Sequence, residues 1–94
     1  MISDSSVLHR VPDVRFRAVD DETVVIRQEA AEALVINDVA GRILELVDGH
    51  RVIADVVAQL HDEYDVDPER LRTDVYAYLE ELLETGLLSR GESG

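Results

Sequence analysis

The sequence predicts a small α+β domain with a winged-helix-like arrangement, a three-stranded antiparallel sheet followed by three helices. Three observations predict it. Residues 14–36 carry short β-branched runs broken by polar turns, and residues 37–88 carry apolar residues at helical spacing. The chain has 94 residues, room for one core and no more. Three strands cannot bury a core alone, so the helices must cover one face of the sheet.

The elements follow in order. Residues 1–10 are polar and mixed and read as a flexible N-terminal arm; residues 11–90 form the single domain; residues 91–94 read as a flexible tail. Val14-Arg15-Phe16-Arg17-Ala18-Val19 alternates apolar and basic residues, the period of a half-buried strand. Asp20-Asp21-Glu22 is a turn, and Thr23-Val24-Val25-Ile26-Arg27 is a second strand. Ala33-Leu34-Val35-Ile36 is the third, although Glu29 to Leu34 taken alone favours helix. Asn37 or Asp38 caps a first helix, which ends at Asp48-Gly49. Ile53, Val56, Val57 and Leu60 mark a second helix starting near Val52. Asp67-Pro68 opens the third, a capping carboxylate followed by a proline where no N–H is needed. Leu71, Val75, Tyr78, Leu79, Leu82 and Leu83 form its stripe, Gly86 stops it, and Leu87-Leu88 folds back.

Charge narrows the function. Nine arginines and no lysine face 21 carboxylates, a formal net charge of -12. That field repels phosphate polyanions and anionic membrane surfaces, so neither nucleic acid nor membrane is an expected partner. The absence of cysteine removes thiol nucleophiles, zinc-thiolate sites and disulfides. Met1 to Ser6 lacks a basic region followed by an apolar run, and nowhere do eighteen apolar residues run together. A soluble cytoplasmic protein is expected.

No catalytic constellation emerges. His9, His50 and His61 lack the spacing that would place two imidazoles on one metal, so no metal ligand is assigned. The serines stand only at positions 3, 5, 6, 89 and 93, where no scaffold orients a nucleophile. There is no glycine-rich phosphate loop, and Glu80, Glu81 and Glu84 read as the solvated side of the third helix. No enzyme activity and no cofactor are expected. Three kinds of binding remain. The third strand could accept an extended peptide along a free edge. The chain could instead be an acidic adaptor for one protein partner, or self-associate through that edge. A winged-helix DNA binder is the third reading, opposed by the carboxylates of the third helix.

A longer pattern then becomes visible. Val35-Ile36-Asn37, Ala40, Ile43-Leu44, Leu46 and Asp48-Gly49 lead to Val56, Leu60, Tyr64 and Val66. Leu71, Asp74-Val75, Tyr78-Leu79, Leu82 and Gly86-Leu87-Leu88 complete it. In order and spacing, from Val14 to Leu88, this resembles the PqqD-like family. Its members are small peptide chaperones of pyrroloquinoline quinone biosynthesis, with the fold of the precursor-peptide recognition elements of ribosomally made natural products. The resemblance implies three antiparallel strands and three helices. It also implies recognition of a precursor's leader, which adds as a strand to the third strand and lies in its cleft with the third helix. The bound precursor is then presented to a modifying enzyme, often a radical S-adenosylmethionine enzyme, or to a leader peptidase. Two positions depart from the family pattern: Val52 stands where a capping Thr is common, and Ala33, Leu34 and Val35 stand where aromatic residues often occur.

On that reading the peptide-binding residues are Ala33, Leu34, Val35 and Ile36 on the strand, and Arg70, Leu71, Asp74, Val75 and Tyr78 on the third helix. Tyr78 is the leading candidate, since a phenol at a groove rim offers both area and a polar handle.

Overall fold

The computed structural model describes residues 2–90. Strands β2 (Val14–Val19), β3 (Glu22–Arg27) and β4 (Glu32–Asn37) form an antiparallel sheet in that spatial order. Phe16 stands opposite Val25, and Val25 opposite Leu34. With a side-chain period of two, this register fixes the faces. Val14, Phe16, Val25, Leu34 and Ile36 turn to the core, while Arg15, Ile26 and Val35 are exposed on the other face.

Residues 29–34 form no helix: 29–31 complete a turn and 32–34 begin β4. A helix of that length cannot nucleate by itself, whereas pairing with β3 satisfies the backbone and puts Leu34 and Ile36 on the core. The connection is a turn, Gln28 to Ala31, with the Ala31 N–H donating to the Gln28 carbonyl at 3.2 Å.

Helices α1 (Asp38–Leu46), α2 (Ile53–Glu63) and α3 (Pro68–Glu84) cover the inner face. Asp67 caps α3, its side chain accepting from the Arg70 N–H at 3.2 Å, with Pro68 in the first turn. Gly86 ends α3 at φ +82°, a left-handed backbone that a side chain disfavours. Where α1 crosses β3, Gly41 sits directly against the Thr23 side chain. A Cβ on Gly41 would lie 1.9 Å from the Thr23 hydroxyl oxygen and 2.7 Å from Thr23 Cβ. Arg42 on α1 then clamps α2, its Nε and Nη2 donating to the two Glu63 carboxylate oxygens at 2.8 and 2.6 Å. No helix among the described residues is long and apolar enough to cross a membrane.

The N-terminal residues depart from the sequence reading. Residues 2–10 are packed against the domain, where a flexible arm was expected. Ile2 and Leu8 are buried in the core. A short strand β1 (His9–Arg10) pairs antiparallel with β5 (Leu88–Ser89), and Val7 bridges to Val52. The physical reason lies at the start of α2. Val52 occupies its N-cap position without a side-chain hydrogen bond. The Ile53 N–H donates instead to the Ser6 carbonyl and the Ala54 N–H to the Asp4 carbonyl, both at 2.9 Å. Carbonyls of the N-terminal segment thus do the work of the missing threonine hydroxyl. The Asp4 carboxylate also meets Arg72 Nη2 at 2.7 Å and accepts from the Tyr76 hydroxyl. The Arg72 guanidinium, then the phenol, hold the Asp4 carboxyl below the usual carboxylate range. The flexible tail expected at residues 91–94 lies outside the described residues.

Candidate functional site

β4 is an edge strand. Its inner side pairs with β3, and among the described residues no strand occupies its outer side. Alternate residues therefore aim N–H and C=O groups at solvent. Beside that edge runs the C-terminal half of α3, and between them lies an open groove of about 340 Å³. Leu34, Val35, Ile36 and Asn37 form one wall, Tyr78, Glu81, Leu82 and Thr85 the other, and Ala40 and Leu87 also line it. The lining is mostly apolar, with the Glu81 carboxylate as its one charge.

Local sequence explains each wall. On β4 the alternation leaves Leu34 and Ile36 half-buried toward α3 while Val35 is 62% exposed. On α3, residues 78, 81, 82 and 85 recur at three- and four-residue steps, one face of a helix. Two ties hold the walls apart. At one end the Asn37 side-chain amide donates to the Tyr78 hydroxyl at 2.8 Å. At the other, Arg27 at the end of β3 donates to the Thr85 carbonyl at 2.9 Å and to Glu32 at 3.3 Å. β4 and α3 thus run in opposite directions along the groove, Asn37 meeting Tyr78 and Glu32 lying near Thr85. The Arg27 guanidinium also stands at the negative end of α3, where a cation is favoured.

The structure brings together only part of the residue set read from the sequence. Leu34, Val35, Ile36 and Tyr78 line the groove, and Ala33 is on the same strand with its side chain exposed. Leu71 and Val75 are absent from its lining and pack within the core. Arg70 and Asp74 lie on the first turns of α3, solvated and 3.9 Å apart, away from the groove. The reason is the crossing. α3 meets β4 with its second half, so its first half packs on the domain core. Sequence reasoning missed Asn37, Ala40, Glu81, Leu82, Thr85 and Leu87. The face shared by Tyr78, Glu81, Leu82 and Thr85 was the signal available for the helical ones.

The site offers binding groups. Among the described residues no group of three or more His, Cys, Asp or Glu side chains could hold a metal ion. What the arrangement can do is supply main-chain partners along β4 and apolar recesses beside them, the requirements for adding an extended peptide.

Known proteins share both sequence and shape with this chain. The family model of Coenzyme PQQ synthesis protein D (PqqD) matches residues 22–88. The PqqA binding protein of Rhodopseudomonas palustris (strain BisB5) is 32% identical over 90 residues, 94% of this chain and 86% of the relative. That of Gluconobacter oxydans (strain 621H) is 35% identical over 80 residues, 85% of this chain and 78% of the relative. Among solved structures, TbiB1 in complex with the TbiA(beta) leader peptide superposes with a TM-score of 0.74 at 23% identity, covering 92% of this chain and 99% of that one. Lasso peptide synthetase B1 complexed with the leader peptide gives 0.73 at 24% identity, covering 88% and 98%. The structural likeness shows the shared α+β fold. The sequence likeness, spanning β3 to β5 and most of the relatives' lengths, shows the family: the chain belongs to the PqqD family.

Proposed function

We propose that this protein is a non-catalytic chaperone for a ribosomally made precursor peptide. It binds the precursor's leader as an added strand on the outer edge of β4. One observation carries the reading: an unpaired strand edge lies directly beside an apolar groove. Backbone groups of residues 33–37 bond the leader, which gives affinity without sequence preference. Leader side chains on alternate positions enter the recess between Leu34, Ile36, Leu82 and Leu87, which gives selectivity. Tyr78, held by Asn37, forms the rim. The protein itself makes and breaks no bond. It works in the cytoplasm and presents the bound precursor to a modifying enzyme, such as a radical S-adenosylmethionine enzyme, or to a leader peptidase. Relatives named for binding PqqA, and fold neighbours solved with leader peptides, support this reading.

The test is titration of isotope-labelled protein with the leader of a precursor encoded beside it. Strand addition requires amide shifts concentrated at residues 32–37 and 78–87. Shifts confined to α2 or to the first half of α3 would overturn the proposal.

A further inference from the structure

The sheet has a second free edge, and its chemistry is the opposite of the first. β2 forms the other margin of the sheet. From Arg15 to Val19 its only backbone pairing among the described residues is with β3. The arginines are not spread evenly. Arg27, Arg42, Arg51, Arg70 and Arg72 each pair with a carboxylate of this chain. Among the described residues Arg10, Arg15, Arg17 and Arg90 make no ion pair, and the first three of these gather at the β2 margin. Arg15 and Arg17 point outward from β2, opposite Ile26 and Val24. Arg10 stacks on Phe16, its guanidinium carbon 5.4 Å from the ring centroid. Below the same margin a depression of about 360 Å³ is lined by Val11, Pro12, Val14 and Phe16 beside Arg10 and Arg15.

We infer that the β2 edge docks an extended acidic segment of a partner protein, in which acidic and apolar residues alternate. A strand added here places every second side chain on the outer face, against Arg15 and Arg17. The remaining side chains fall on the inner side, over the depression beside Phe16. Charge selects this occupant over a second copy of the chain. Antiparallel pairing of two β2 strands centred on Phe16 would set Arg15 of each copy against Arg17 of the other, and like charges directly opposed are unfavourable. The edge lies two strands away from β4, so both edges can be filled together.

The probes are two capped heptapeptides, one alternating Glu with Val and one alternating Arg with Val, titrated into isotope-labelled full-length protein. The acidic peptide is expected to shift amides of residues 13–19, with affinity falling as salt rises. The Arg15→Glu/Arg17→Glu double variant should weaken it by about tenfold or more while leaving leader titration at β4 unchanged. A failure of leader binding with the acidic response intact sinks the chaperone reading alone. The inference here is overturned by an acidic peptide without effect at about 1 mM, by shifts at residues 32–37 instead, or by an equal response to the basic peptide. Sedimentation showing self-association dissolved by the double variant would overturn it in favour of a second copy. Co-sedimentation with anionic vesicles would overturn it in favour of a lipid surface.

Discussion

The side chain of Asn37 does two jobs at once: its oxygen accepts the Ala40 N–H at 2.8 Å, and its nitrogen donates to the Tyr78 hydroxyl at 2.8 Å. One amide therefore starts α1 and spaces α3 from β4. Asn37→Ala removes a cap and a tie, and should lower unfolding free energy by about 1–2 kcal/mol in urea titration. Tyr78→Phe removes only the tie and should cost less than about 1 kcal/mol.

The groove's position on α3 separates two sets of residues in binding. Tyr78→Ala and Leu82→Ala should weaken leader affinity by about tenfold, a loss near that of one buried contact. Arg70→Ala and Asp74→Ala should stay within about twofold, since a solvated pair away from the groove contributes little. Calorimetric titration with one leader peptide decides the matter.

Gly41 lets α1 lie close against the Thr23 side chain of β3. Gly41→Ala sets a methyl 1.9 Å from the Thr23 oxygen, so α1 must lift from β3. The expected cost is about 2–3 kcal/mol in thermal or urea unfolding. Thr23→Ala should rescue the variant only in part, because Thr23 Cβ would still lie 2.7 Å away.

The clamp between α1 and α2 carries an acid dependence. Hydrogen bonds from Arg42, then from Gln59, depress the Glu63 carboxyl from 4.5 to about 2. A depressed carboxylate stabilises the fold fully above its unfolded value, and that contribution is lost as pH falls through about 2. Glu63→Gln should therefore destabilise by about 1 kcal/mol near neutral pH, the size of a well-formed surface pair. The gap between the two proteins should close between pH 4.5 and about 2.

The N-terminal residues act as the cap of α2. Removing residues 1–6 deletes the Ser6 and Asp4 carbonyls and the buried Ile2 side chain. The loss should be about 2–4 kcal/mol, combining apolar burial with an uncapped helix. Val52→Thr should restore more stability to the shortened chain than it adds to the full one. Faster hydrogen exchange at Ile53 and Ala54 in the shortened chain would mark the lost cap.

Much of this architecture could be read locally. Asn37, Asp67-Pro68 and Gly86 each act within one turn of helix, and each sits where its chemistry predicts. The alternation at Leu34 and Ile36 likewise needs only the strand's own period. What escaped the sequence depends on distant segments. Two-residue strands have no period to detect, so the pairing of His9-Arg10 with Leu88-Ser89 left no trace. Ile2 and Leu8 sit in a polar stretch, and only the open start of α2 explains why they pack. For α3 the apolar stripe was visible but its crossing with β4 was not. Nothing in Leu71 or Val75 distinguishes a core leucine or valine from one at a groove wall.

The fastening of β1 to β5 also sets how the domain meets force. His9 faces Ser89 and Arg10 faces Leu88, so the outermost pair belongs to the residues nearest the two ends of the chain. A pull on both ends is met first by the contacts of Asp4, Ser6 and Val7 with the start of α2, and the ribbon then opens one pair at a time from its His9–Ser89 end, like a zip. Leu87, next in the chain to the ribbon, lines the groove beside β4, so peeling the ribbon back reaches that groove's wall directly.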